Sequence, residues 1–197
     1  MFNEKHLIPK FVGVNKNGDV STMTIEDVSS AFKAPCVVDV KMGTQTWQPG
    51  CREEYRIRKL QQDSLCTTKT YGFRFSGACF PDATYGHDFG WYANTDEQML
   101  ECLRAFLQCV PSSRLQSVLD TFISRVQIVR DAVASTEWSF IASSLLFIYE
   151  GAPDTWTEPV VALIDFEHTE PTPGTNDKGF LFGCDNLLRF LKILKEQ

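Results

Sequence analysis

A change of hydrophobic rhythm in the middle of the chain limits its folding more than any other feature. From Thr95 onward the apolar residues Met99, Leu100, Leu103, Phe106, Leu107 and Val110 recur at helical spacing; Pro111 interrupts, and Leu115, Val118, Leu119, Phe122 and Val126 resume the same period. Thr95 with Gln98 forms a capping-box pattern at the first start, and Ser112 or Ser113 is placed to cap the second helix. On both sides of this helical pair the pattern reads as strand. Leu7–Val14 and Thr22–Ile25 flank an Asn-Lys-Asn-Gly-Asp turn, Pro35–Met42 is an apolar run, and Tyr71–Phe80 mixes aromatic and small residues. Ser139–Tyr149 and Pro159–Phe166 are two further strands, joined by a polar turn with Gly151, Pro153 and Asp154. Residues 52–62 read as a helix, and a last amphipathic helix carries Leu187, Leu188, Leu191 and Leu194. Strands early and late, with helices between and after, predict an α+β fold rather than a doubly wound parallel sheet.

Composition narrows the class. The 197 residues suffice for one large domain or two small lobes, and 43% hydrophobic with 22% charged residues is ordinary for a soluble globular protein. No apolar run is long enough to span a bilayer, and Met1–Lys10 lacks the layout of a signal peptide, so an intracellular protein, cytoplasmic and/or nuclear, is expected. Seven cysteines without a C-x-x-C indicate reduced thiols rather than disulfides or a zinc site. A net charge of −6 argues against a nucleic-acid partner, and an anionic substrate would need a local basic patch.

Four places hold residues suited to chemistry. Asp39 and Lys41 project from one face of a strand whose other members Val37, Val38 and Val40 are apolar, so they form a structural ion pair or serve a ligand. Asp165 ends the run Val160–Ile164, with His168 three residues on; it is a seat for Mg²⁺ or the cap of the next turn. Arg52, Arg56, Arg58 and Lys59 lie within eight residues, either as a solvated face paired with Glu53 and Glu54 or as a cradle for phosphates. Ser143 and Ser144 precede Leu145, and fit either a tight core or a metal or phosphate. Neither G-x-x-x-x-G-K-[ST] nor a strand-borne G-x-G-x-x-G is present, so any nucleotide is bound without a P-loop or Rossmann crevice.

In order along the chain, Pro35-Cys-Val-Val-Asp39-Val-Lys41-Met-Gly43 matches P-x-x-x-D-x-K-x-G, Ser143-Ser-Leu-Leu resembles an S-S-L-L segment, and Ile164-Asp165-Phe-Glu-His168 resembles I-D-F-A-H. With Thr46-Trp47, Glu53-Glu54-Tyr55 and Gly72-Phe-Arg-Phe-Ser-Gly77, the chain resembles the inositol polyphosphate kinases from about Leu7 to its end, most of all the plant-type multikinases. The resemblance implies a two-lobed, protein-kinase-like or ATP-grasp-like nucleotide site, with residues 1–30 as a reduced N-terminal lobe and hinge and 31–197 as the catalytic lobe. Residues 44–70 would form the inositol phosphate-binding segment.

It further implies ATP and Mg²⁺ (Mn²⁺ being an alternative) and an inositol polyphosphate acceptor; a monomer is expected. Glu26-Asp27-Val28 would be the adenine hinge; Pro9, Leu146 and Ile164 would line the nucleotide pocket, and Asp39 would hold the ribose. Lys41 would bridge the transferred phosphate and the acceptor, and Ser144 and Asp165 would bind the metal. His168, Arg56 and Arg58 would hold acceptor phosphates. Glu167 replaces the alanine of I-D-F-A-H, and Ile57 and Gln61 stand where plant relatives often have lysine. Only seven residues precede Ile8-Pro9-Lys10-Phe11, so an impaired member acting as an inositol phosphate- or protein-binding module is the alternative expectation.

Overall fold

The computed structural model describes Phe2, residues 6–18 and residues 20–197; Asp19 of the expected turn lies outside the described residues. The chain opens with a hairpin of β1 (Phe11–Asn17) and β2 (Val20–Ile25), which form a two-stranded sheet of their own. Leu7, placed at the start of that strand by its apolar neighbours, instead lies along another strand: its carbonyl accepts from the Leu163 amide at 2.7 Å. Next comes β3 (Pro35–Met42), with the bounds its hydrophobic run predicts, and α1 (Glu53–Leu65), whose acidic first turn suits the positive end of a helix. A single turn α2 (Thr68–Tyr71) replaces the expected start of the next strand, and β4 (Phe73–Phe80) and β5 (Ala83–Tyr85) follow.

The helical pair is α3 (Asp96–Phe106) and α4 (Ser112–Ala134). The Thr95 hydroxyl caps α3 by accepting from the Gln98 amide, while the Gln98 side chain turns back to the Asn94 amide. Neither Ser112 nor Ser113 caps α4; both belong to its first turn, because Pro111 already supplies the N-terminal boundary. The single strand expected over Ser139–Tyr149 is two, β6 (Trp138–Phe140) and β7 (Ser144–Glu150), broken at Ala142, whose φ is +59°. Then come β8 (Val160–Ile164), β9 (Thr169–Pro171) and α5 (Lys178–Lys195), capped by the Asp177 carboxylate.

A five-stranded antiparallel sheet, β5-β4-β3-β7-β8, is the centre of the molecule. Its period-two alternation separates two faces. Cys36, Val38, Val40 and Met42 of β3, Phe73 and Phe75 of β4, Leu145, Phe147 and Tyr149 of β7 and Val161 and Leu163 of β8 are buried in one core with α3, α4 and α5. Phe122 of α4 meets Phe147 edge-on at 5.1 Å and stacks beside Phe106 of α3 at 6.2 Å. Gly72 (φ +72°) ends α2 against α5; a Cβ there would meet the Gly183 amide nitrogen at 2.6 Å, so glycine is required for contact as well as for conformation. Among the described residues no helix is long and apolar enough to cross a membrane.

Candidate active site

The opposite face of the sheet carries the polar residues. Strand register lines them up in two rows: Arg74, Lys41, Ser144 and Ile164 in one, Gly77, Asp39, Leu146 and Ala162 in the next. Directly opposed residues of antiparallel strands share a face, so β3 and β7 bring Asp39, Lys41 and Ser144 together although about a hundred residues separate them in sequence. Asp165 follows the end of β8, beside Ser144. The Lys41 ammonium donates to the Ala142 carbonyl at 2.7 Å and reaches Asp165 Oδ2 at 3.4 Å.

That lysine lies between two backbone distortions. Ala142 (φ +59°) and Asp165 (φ +63°) both occupy the left-handed region, which costs on the order of 1 kcal/mol or more for a residue with a side chain. Both are tied down locally: Ala142 by the Lys41 ammonium, and Asp165 by the Ser143 hydroxyl, which donates to its carbonyl at 2.7 Å. Ala142 separates β6 from β7, and Asp165 directly follows the end of β8.

The electrostatics of the face are incomplete. Burial raises the Asp39 carboxyl above its ordinary range; the nearby Ser144 hydroxyl, which falls short of hydrogen-bond geometry to it, and the Lys41 and Arg74 charges oppose that rise, and Asp165 adds to it. Asp39 Oδ1, Ser144 Oγ, Arg74 Nε and Arg74 Nη1 are all shielded from solvent and have no hydrogen-bond partner among the described residues. Buried polar atoms are nearly always paired. Four orphaned atoms on two adjacent rows mark a surface built to receive polar ligand atoms.

Of the residues expected on the nucleotide side, two border a neighbouring cavity. Glu26 and Val28 line a space of about 760 Å³ together with Ile8, Phe11, Val160 and Ala162. The Glu26 amide donates to the Lys10 carbonyl at 2.8 Å and its carboxylate accepts from the Lys10 amide at 3.1 Å, which holds the segment around Pro9 beside the expected hinge. Pro9 is buried, Leu146 and Ile164 are half-buried on the open face, and none of the three lines that cavity.

The residues expected to hold the acceptor are more dispersed. Arg56 makes two hydrogen bonds to the Glu53 carboxylate, at 2.6 and 2.8 Å, and lies over Trp47; Arg58 lies over Tyr55. His168 pairs with Glu167 at 3.2 Å, and the Glu167 side chain is 81% exposed, so that carboxylate points to solvent. The basic residue of α1 that feels the site is Lys59: burial lowers its pKa, and the charges of Arg74 and Lys41 lower it further. Arg74 belongs to the segment Gly72–Gly77 and lies between Phe73 and Phe75 as Lys41 lies between Val40 and Met42, but nothing in the sequence assigns it to the site.

For a divalent metal, the described residues hold no cluster of three His, Cys, Asp or Glu side chains. Asp165 and the unpaired Ser144 hydroxyl, with Asp39 one row away, nevertheless fit a hard cation that takes few protein oxygens and completes its shell with water and phosphate.

The sequence model described as inositol polyphosphate kinase matches residues 22–192. Human inositol-trisphosphate 3-kinase A is 27% identical, over 96% of this chain and 50% of its own length. Inositol polyphosphate multikinase alpha of Arabidopsis thaliana is 28% identical, over 91% of this chain and 71% of its own. The chain thus spans about half the length of the first of these relatives and more of the second. Among solved structures, the inositol phosphate multikinase of S. cerevisiae in complex with ADP and Mn²⁺ superimposes with a TM-score of 0.86 at 23% identity, covering 95% of this chain and 89% of that one.

Proposed function

Because the chain belongs to the inositol polyphosphate kinase family, we propose that it transfers the γ-phosphoryl group of ATP directly to an inositol polyphosphate. The observation that carries this reading is the Lys41–Asp165 pair at 3.4 Å on a face where Asp39 and Ser144 keep buried oxygens unpaired. Phosphoryl transfer asks little covalent chemistry of a protein; it needs the reactants in line and charge placed where negative charge gathers. An acceptor oxygen attacks the γ-phosphorus as the bond to the bridging β-phosphate oxygen breaks, and no covalent enzyme intermediate forms.

Lys41 is the cation between donor and acceptor. In the free protein its ammonium is held by the Ala142 carbonyl and Asp165, which fix its position before substrate arrives. Asp39, with Oδ1 unpaired, is assigned to ribose hydroxyls, and the hinge Glu26-Asp27-Val28 to adenine, beside a cavity that Glu26 and Val28 line with Ile8, Val160 and Ala162 as apolar walls; Pro9, Leu146 and Ile164 lie outside that lining and are assigned to the nucleotide by the family resemblance. Asp165 and Ser144 would hold Mg²⁺ or Mn²⁺. When bound, such an ion neutralises the phosphate oxygens and orients the donor; the yeast relative's complex with ADP and Mn²⁺ supports that pairing of cofactors. Arg56, Arg58 and His168 are assigned to acceptor phosphates, which requires Arg56 to exchange Glu53 for a phosphate. Likeness to the Arabidopsis and yeast multikinases supports a multikinase range of acceptors. We place the enzyme in the cytoplasm or nucleus, acting as a monomer.

The test is ATP consumption with Mg²⁺ on inositol trisphosphate, tetrakisphosphate and hexakisphosphate. Turnover with at least one acceptor is expected; a folded protein inactive on all of them refutes the proposal.

A further inference from the structure

Three other arginines pair with carboxylates: Arg56 reaches Glu53, Arg130 reaches Asp185 and Arg189 reaches Asp96. Arg74 differs. It is 4% exposed, and its Nε and Nη1 have no hydrogen-bond partner among the described residues. A guanidinium is charged at every physiological pH, and removing it from water without an anion costs several kcal/mol in idealised terms. Such a group persists where something else requires it.

Its position shows what that is. Register sets Arg74 directly opposite Lys41, on the same face of the sheet, with Ser144 on the far side of Lys41. Arg74 and the Ser144–Asp165 pair therefore flank Lys41 from opposite sides. Trp91 lies over the guanidinium, 5.8 Å from its carbon, and helps fix the plane of the fork. Helix α1 contributes Lys59, whose ammonium is held over Tyr55 and donates to Gln62. The Lys59 charge feels those of Arg74 and Lys41, and Asp63 partly offsets them.

We propose that Arg74, assisted by the charge of Lys59, is the anchor for a phosphate group of the acceptor, on the flank of Lys41 away from the metal-side pair Asp165 and Ser144. The assignment rests on the kinase reading of the same site. It divides the open face into a donor half over β7 and β8 and an acceptor half over β4 and α1. Arg74 feels Asp39 and Lys59 feels Asp63, but neither cation forms an ion pair among the described residues; a phosphate supplies that directly bonded anion, and the planar fork suits a tetrahedral oxyanion at one fixed position. Arg74 thereby selects acceptors carrying a phosphate beside the reacting position, while Arg56 and Arg58 on the exposed helix hold phosphates farther out.

The experiment compares wild type, Arg74→Met and Arg74→Lys in two assays. In steady-state turnover, Arg74→Met is expected to raise KM for the inositol phosphate at least tenfold and leave KM for ATP within twofold. In thermal denaturation, Arg74→Met is expected to melt no lower than wild type when free, because it removes an unpaired buried charge, and to lose most of the upward shift that inositol hexakisphosphate gives wild type. An equal rise in both KM values, or an unchanged acceptor KM, overturns the assignment. If Arg74→Met does not fold, Arg74→Lys decides: a threefold or larger rise in acceptor KM alone supports the anchor, and wild-type kinetics refute it. If wild type itself shows no turnover, the kinase reading falls, and the denaturation assay still judges the anchor through the shift with inositol hexakisphosphate. A shift equal in wild type and variant, or absent from both, refutes it.

Discussion

The two faces of the central sheet are built from the same strands and obey different rules. Toward the helices, Val38, Val40, Met42, Phe73, Phe75 and Phe147 are packed with aromatic neighbours, and Tyr149 is satisfied by donating its hydroxyl to the Phe106 carbonyl at 2.5 Å. One residue away along each strand, Asp39, Lys41, Arg74 and Ser144 are also withdrawn from water, yet four of their polar atoms are unpaired. Burial does not distinguish the faces; satisfaction does. The first face is what folding requires, and the second holds groups whose partners arrive later.

Four measurements bear on that contrast. The largest effect is expected for Lys41→Ala or Asp165→Asn, each of which should lower turnover by at least about a thousandfold, about 4 kcal/mol of transition-state stabilisation, with melting temperature within a few degrees of wild type. A matching collapse of stability would mean the open face supports the fold as the core does. Next is Phe122→Ala on the core face, expected to destabilise by roughly 3–4 kcal/mol in urea titration, as for a large buried aromatic. A loss below about 1 kcal/mol would contradict the packing described for that face.

A third measurement concerns Glu150, a polar group at the end of β7 that is fully served. Burial pulls its pKa up, but the amides of Ala152, Lys33 and Ala34 and the Thr157 hydroxyl together hold it below 4.5. A lowered acid adds stability that is present above its unfolded pKa and is lost as pH falls through the folded value. Glu150→Gln should therefore cost roughly 1–3 kcal/mol at neutral pH, as for hydrogen bonds left unmade, and lose part of the wild-type acid sensitivity below about pH 4.5. The smallest effect has the opposite sign. Burial first, and the Asp165 charge after it, raise the Asp39 carboxyl above 3.8, so its contribution favours the fold below that pH and fades as pH climbs through the folded value. Asp39→Asn should be as stable as wild type or more so at pH 7, by up to about 1 kcal/mol, and activity should still fall. A clear loss of stability at pH 7 would make Asp39 structural.

Much of the architecture is legible in the residues. The alternation of β3, the cap at Thr95 and the spacing of α4 and α5 are local properties, and each element lies where its pattern requires within a few residues. The break between β6 and β7 is not local. Ile141-Ala142-Ser143 contains neither glycine nor proline, and the left-handed turn at Ala142 is held by a lysine about a hundred residues earlier. The site divides the same way. Asp39, Lys41, Ser144 and Asp165 stand out as polar residues in apolar runs, and the fold gathers them. Arg56 is conspicuous by composition, yet it finds a partner three residues away. Arg74 is hidden because its meaning depends on register: only the pairing with β3 shows that it stands beside Lys41.

That pairing depends on an irregularity between β3 and β4. Asp39 faces Gly77, but Val40 faces Phe75, so β4 has one residue, Ser76, more than its partner needs. Run in unbroken register from Gly77, the ladder would set Phe75 against Lys41 and turn Arg74 toward Met42. A guanidinium would enter the hydrocarbon and a phenyl ring would roof the lysine. Deleting this one serine would close the bulge and keep Val40 against Phe75 and Lys41 against Arg74 in continuous register, whereas inserting one residue with no new bulge would reverse what each side chain beyond it faces.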